Sequence, residues 1–135
     1  MRIAFGTDER SVVTGRMKEH LLAGGHEIVA LHEDVVWTEV GRLVGEAVAG
    51  GQADRGVVCC WTGTGVSIAA NKVVGVRAAL CTDAGTAAGA RRWNDANVLA
   101  IGLRLTSEES ARETLDAFLT GEVEAGAVDT IAGIE

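Results

Sequence analysis

Short apolar runs alternate with amphipathic stretches along the whole chain. Arg2–Phe5 predicts a first strand, with a turn at Gly6–Asp8. Ser11–Ala23 has a helical pattern that stops at Gly24–Gly25, a C-terminal signal. Glu27–Leu31 predicts a second strand. Thr38–Ala49 predicts a helix, again stopped by a glycine pair, Gly50–Gly51. Gly56–Trp61 carries the unbroken run Val57, Val58, Cys59, Cys60, the pattern of a strand covered on both faces. A Gly-rich loop then leads into a helix at Val66–Lys72. Val76–Leu80 is the fourth predicted strand, Ala84–Trp93 an alanine-rich helix, and Val98–Ile101 the fifth strand. Thr106–Leu119 is the clearest helix. Thr106 and Glu109 fit a capping box, and Ala111, Leu115, Phe118 and Leu119 form an apolar stripe. Val128–Ile134 predicts a short terminal helix.

Strands alternating with helices across short connections imply an α/β fold. The expected architecture is a three-layer, Rossmann-like, doubly wound sheet of about five parallel strands, with helices on both faces. Residues 1–135 form one domain, with no linker or repeat. Ligands in such sheets bind beyond the carboxyl ends of the strands. That rule singles out Gly6–Arg10, Trp61–Gly65, Cys81–Asp83 and Gly102–Arg104.

Composition narrows the function. Acidic residues outnumber basic ones 19 to 12, for a formal charge of −7. A nucleic-acid platform or an anionic-membrane binder needs clustered Lys and Arg, so neither partner is expected. No apolar run is long enough to span a bilayer, and the first residues lack the pattern of a secretion signal. Cys59, Cys60 and Cys81 make a poor disulfide framework, which points to a reduced, cytoplasmic protein. His20, His26 and His32 lack zinc-ligand spacing, so no metal is expected.

The segment Cys59-Cys60-Trp61-Thr62-Gly63-Thr64-Gly65-Val66-Ser67 carries the chemistry. Gly63 and Gly65 allow a sharp turn and close approach to a ligand. The helix that follows aims free N–H groups into the loop, a setting that favours a phosphate or a reaction oxyanion. Thr62, Thr64 and Ser67 add hydroxyls. Cys60 stands at the strand end beside that helix start, the surroundings in which reactive thiols occur; read without regard to function, it is a buried core cysteine. The loop is neither a Walker loop nor a dinucleotide fingerprint.

Thr62-Gly63-Thr64-Gly65-Val66-Ser67-Ile68-Ala69-Ala70-Asn71-Lys72-Val73, followed by Gly75-Val76-Arg77-Ala78-Ala79, closely resembles the ribose-5-phosphate isomerase B family, which includes the LacA and LacB galactose-6-phosphate isomerase subunits. Ile3-Ala4-Phe5-Gly6-Thr7-Asp8, Asn94-Asp95-Ala96-Asn97-Val98-Leu99-Ala100 and Gly102-Leu103-Arg104 agree with it. The resemblance implies cofactor-independent aldose–ketose isomerisation of a sugar or sugar phosphate through an enediolate, in a homodimer or higher oligomer with the pocket at the subunit boundary. It implies Cys60 as the base, Thr62 as a substrate-orienting residue and Asn94 near the reacting oxygen. Gly63, Thr64, Gly65, Val66 and Ser67 become the oxyanion loop. Asp8 binds sugar hydroxyls or caps a helix, and Arg104 belongs to the substrate site. Asn71, Asn97, Gly75 and Arg77 read as structural. Cys59, on the opposite strand face, and Cys81 read as core.

The chain departs from the family pattern in four places. Trp93 stands where the family has a ring-opening histidine. Glu9 replaces the histidine after Asp8 and is expected among the substrate-binding residues, as an acid/base group whose charge opposes a bound phosphate, and Val36-Trp37-Thr38 replaces an Asp-Tyr-Pro segment. From Gly121 onward the tail holds Glu122, Glu124, Asp129 and Glu135 with no Lys or Arg, where the family supplies phosphate-binding arginines. Three readings stay open on the sequence: a sugar-phosphate isomerase with relocated residues, an isomerase of a different or non-phosphorylated sugar, and a non-catalytic partner subunit of the LacB kind.

Overall fold

The computed structural model describes residues 1–134. Among them, β1 (Arg2–Thr7), β2 (Glu27–Glu33), β3 (Arg55–Cys60), β4 (Ala78–Leu80) and β5 (Val98–Gly102) form one parallel sheet in the order β2-β1-β3-β5-β4. The helices are α1 (Val12–Ala23), α2 (Trp37–Ala49), α3 (Thr64–Asn71), α4 (Ala84–Asn94), α5 (Glu108–Thr120) and α6 (Val128–Ala132), the last preceded by a 3-10 turn at Ala125–Ala127. The doubly wound α/β architecture is the one the alternation predicts.

Strand side chains alternate between two apolar layers. Ile3, Phe5, Val57, Cys59, Leu99 and Ile101 pack with Met17 and Leu21 of α1, Ala87 and Ala90 of α4, and Leu115 and Phe118 of α5. Ala4, Val58, Cys60, Val98 and Ala100 pack on the other face with Val40 and Val44 of α2 and Val66 and Ala70 of α3. The small residues of α4 leave room for the buried Arg91. Its guanidinium donates to Asp95 Oδ1 at 2.8 Å, Ala96 O at 2.6 Å and Gly121 O at 3.1 Å.

Topology places the site. The chain passes from β1 outward to β2, crosses back to β3 on the other side of β1, runs out to the edge strand β4 and returns to β5 between β3 and β4. The order reverses between β1 and β3, and a crevice opens there at their carboxyl ends. Asp8 follows β1 and Cys60 ends β3. The Asp8 N–H donates to the Cys59 carbonyl at 3.2 Å and holds the two strand ends together.

Several boundaries differ from the predicted ones. β3 ends at Cys60 rather than Trp61, and α3 starts at Thr64, two residues early, because Gly63 already turns into the helix with φ +77°. β4 starts at Ala78 because Val76 closes a turn onto Val73 O. The cap of α5 is Ser107, whose hydroxyl accepts from Ser110 N; Thr106 instead donates to Gly102 O at 2.8 Å. Ser11, not Asp8, caps α1, through a reciprocal pair with Thr14. The tail helix covers Val128–Ala132, and Glu135 lies outside the described residues.

Candidate active site

A cleft of about 320 Å³ opens at the switch point, lined by Asp8, Trp37, Cys60, Trp61, Thr62, Thr64 and Gly65. Cys60 is 5 % exposed and lines it, whereas Cys59 is fully sealed on the opposite face. Burial drives the Cys59 thiol pKa far above its ordinary value. Cys81 is also buried, and its thiol is pushed up to about 11 by burial and then by Asp83. Cys60 is therefore the cysteine that faces the cleft.

The turn after Cys60 brings the start of α3 into the same cleft. Gly63 adopts a left-handed φ of +77°, which a side chain disfavours. A Cβ there would also stand 2.7 Å from Gly102 N. The first helical bond of α3 runs from Ser67 N to Gly63 O at 3.2 Å. The N–H groups of Thr64, Gly65 and Val66 are left without an intrahelical acceptor, as at every helix start. The Ser67 N–H is already taken and leaves the expected oxyanion set; its hydroxyl sits half-buried one turn along. Val66 contributes only backbone, since its side chain is core.

Thr62 and Thr64 join their hydroxyls at 2.8 Å on the cleft wall. The Asp8 carboxyl pKa is raised, first by burial and then by the neighbouring Glu9. Glu9 itself is exposed and does not line the cleft. The Thr7 hydroxyl donates to Glu9 O at 2.6 Å and fixes this turn.

Two expected site residues lie elsewhere within one chain. Asn94 ends α4, which runs back from the carboxyl edge of the sheet to its amino edge, so the eleven-residue helix carries it about 16 Å away from that edge. Trp93, beside it, is likewise remote from Cys60. Arg104 lines a separate cavity of about 140 Å³ with Trp61, Thr62, Leu80, Cys81, Thr82, Gly102, Leu105 and Thr106. Trp61 and Thr62 therefore separate the Cys60 cleft from the Arg104 cavity. Asn71 and Asn97 are structural. Asn71 bridges both backbone groups of Ala78, and Asn97 ties Arg77 N to Gly75 O.

Trp61 falls in the loop that the sequence singles out, without a role for its side chain there; in the structure the residue lines the cleft. Its signal was a large aromatic between the thiol and the Gly-rich turn. Trp37, part of the segment that departs from the family pattern, lies against Gly65: a Cβ on Gly65 would come 2.8 Å from Trp37 Cε3. Among the described residues no group of three His, Cys, Asp or Glu side chains is placed to hold a metal ion. Among the same residues no helix is long and apolar enough to cross a membrane.

A thiol, threonine hydroxyls and free amide N–H groups converging at the switch point of a parallel sheet suit proton transfer beside a carbonyl. Residues 3–132 match the model of the Ribose/Galactose Isomerase family. The chain is 37 % identical to ribose-5-phosphate isomerase B of Escherichia coli, over 99 % of this chain and 96 % of that protein. It is 40 % identical to D-erythrulose-4-phosphate isomerase of Pectobacterium atrosepticum, over 70 % of this chain and 62 % of that protein. The solved structure of Clostridium thermocellum ribose-5-phosphate isomerase B superposes with a TM-score of 0.91 at 34 % identity, covering 99 % of this chain and 95 % of that one.

The class is therefore aldose–ketose isomerase. The chain belongs to the Ribose/Galactose Isomerase family, the family of ribose-5-phosphate isomerase B.

Proposed function

We propose that this protein interconverts an aldose and a ketose by moving a proton between C1 and C2 with Cys60 as the base, on a sugar phosphate of the ribose 5-phosphate type or a related sugar. The observation that supports this most is the placement of the Cys60 sulfur, on the cleft wall beside the start of α3.

In the aldose-to-ketose direction the Cys60 thiolate takes the C2 proton. The electron pair of that bond forms the C1–C2 double bond, and the C1 carbonyl oxygen becomes an oxyanion. The free N–H groups of Thr64, Gly65 and Val66 hold this charge as it develops. The proton on O2 passes to O1, the C2 carbonyl forms, and the Cys60 thiol returns its proton to C1. Thr62 orients the substrate oxygens, and Asp8 accepts from sugar hydroxyls.

The same reading makes the working unit a pair of chains, with the cleft near their boundary. Leu80, Leu105 and Trp61 are exposed apolar side chains around the Arg104 cavity, and Asn94 would serve the cleft of a second copy. All three cysteines are unpaired, which suits the reducing cytoplasm. A related sugar without phosphate at the cleft is the second reading, favoured by a described lining that holds a carboxylate and no cation.

A panel of tetroses, pentoses, hexoses and their phosphates in deuterated water, followed by NMR, tests the proposal. Label entering C1 or C2 of at least one sugar is the expected result. No exchange with any member would contradict it.

A further inference from the structure

Two indoles stand in the cleft beside the reacting position. Trp61 follows Cys60 directly and is 59 % exposed, and Trp37 is 41 % exposed. Exposed apolar side chains that share one cleft, rather than lying scattered, mark a ligand-binding groove. The backbone under Trp61 is fixed by Leu103 N–H donating to Cys60 O and Arg104 N–H to Trp61 O, both at 2.9 Å. The Trp37 ring lies so close to Gly65 that no side chain fits there, so it abuts the loop that offers the free N–H groups.

The rest of the lining is chemically one-sided. Asp8 is an acceptor, Thr62 and Thr64 are neutral hydroxyls, and no described lining residue is cationic. Arg10, two residues past Asp8, is engaged with Asp34 at 2.6 Å. An indole face carries negative π density, so it repels an anion and attracts polarised C–H groups. A carboxylate beside it repels a dianion as well. An uncharged polyol meets both demands, with hydroxyls toward Asp8 and the threonines and its C–H face on the rings.

We infer that Trp37 and Trp61 are specificity-determining residues that grip the uncharged, reacting end of the sugar by its C–H face and exclude a phosphate from the Cys60 cleft. This inference rests on the isomerase reading of the same cleft.

The test uses two readouts on the full chain: the affinity of the non-reacting alditol ribitol by calorimetry, and KM and kcat for the best sugar of the panel. Trp61→Gly and Trp37→Ala are each expected to weaken ribitol binding and raise KM about tenfold. The expected change in kcat is less than about twofold, the pattern of lost uniform binding. Trp61→Phe, which keeps a ring, is expected to restore most of the affinity. Unchanged ribitol affinity in both glycine and alanine variants would overturn the inference, as would no ribitol binding by the unmodified protein. So would a loss that sedimentation traces to altered chain association. Failure of every sugar to exchange deuterium, with ribitol binding still dependent on the two rings, would sink the isomerase reading and leave only the grip of the two rings on a polyol.

Discussion

A Cβ on Gly102 would stand 2.5 Å from the carbonyl oxygen of Thr62. The end of β5 is thus packed directly under the loop that carries the threonine and the helix start. The contact is mutual, because a Cβ on Gly63 would approach Gly102 N and Ile101 C to 2.7 and 2.9 Å. Backbone atoms cannot step aside as a side chain can, so the loop itself must move. Gly102→Ala is expected to destabilise the fold by about 1–3 kcal/mol and to lower kcat about tenfold or more by displacing the free N–H groups. Denaturant unfolding and steady-state kinetics on the one variant check both effects.

Thiol labelling reports the division of labour among the three cysteines. Cys59 is sealed, and its thiol is held neutral by burial. Cys81, at about 11, is thiolate in only about one molecule in a thousand at pH 8. One fast-reacting thiol per chain is therefore expected with iodoacetamide, and mass spectrometry should place it on Cys60. Fast labelling that persists in Cys60→Ser would contradict the assignment.

Arg91 is a buried cation whose donors serve Asp95, Ala96 and Gly121 while its guanidinium sits 5.9 Å from the Phe118 ring centre. Asp95 takes a left-handed conformation, with φ 47°, that ends α4. Arg91→Met would take the side-chain donor away from Ala96 O and Gly121 O, while Asp95 keeps its ion pair with Arg77 at 3.0 Å, and is expected to cost about 1–3 kcal/mol. Urea unfolding gives the number directly.

Acid stability should depend on Asp54. The Arg2 guanidinium and the Arg2 N–H bond its carboxylate and hold its pKa at about 2. A folded value below the ordinary ~3.9 means that the pair stabilises the protein above about pH 4 and loses that contribution as pH falls toward 2. Asp54→Asn should therefore be less stable than the unmodified chain at neutral pH, with the difference shrinking across that window. Melting temperatures of both proteins between pH 7 and pH 2 measure it.

The order of elements and the parallel sheet were legible because buried strands, glycine stops and helical stripes repeat at regular intervals. The run Val57–Cys60 announced a central strand, and Cys59 and Cys60 took opposite faces as strand alternation requires. Boundaries were less legible where backbone bonding decides them. Thr106 satisfied a capping pattern, yet its hydroxyl was drawn to Gly102 O and Ser107 took the cap. Of the site, Asp8, Cys60, Thr62, Thr64 and Gly65 came together as expected. Asn94 did not, because motif order along the chain does not tell which edge of the sheet a residue reaches; Arg104 reaches the expected carboxyl edge but lines the neighbouring cavity. Trp61 lay in plain view, but its role emerges only from the cleft it walls.

The most direct measurement is deuterium exchange at C1 and C2 of the turned-over sugar, compared between the unmodified protein and Cys60→Ala. With the variant shown to be folded by its melting curve, exchange is predicted to fall by about a hundredfold or more. Exchange at the unmodified rate in a folded Cys60→Ala protein would contradict the assignment of the base.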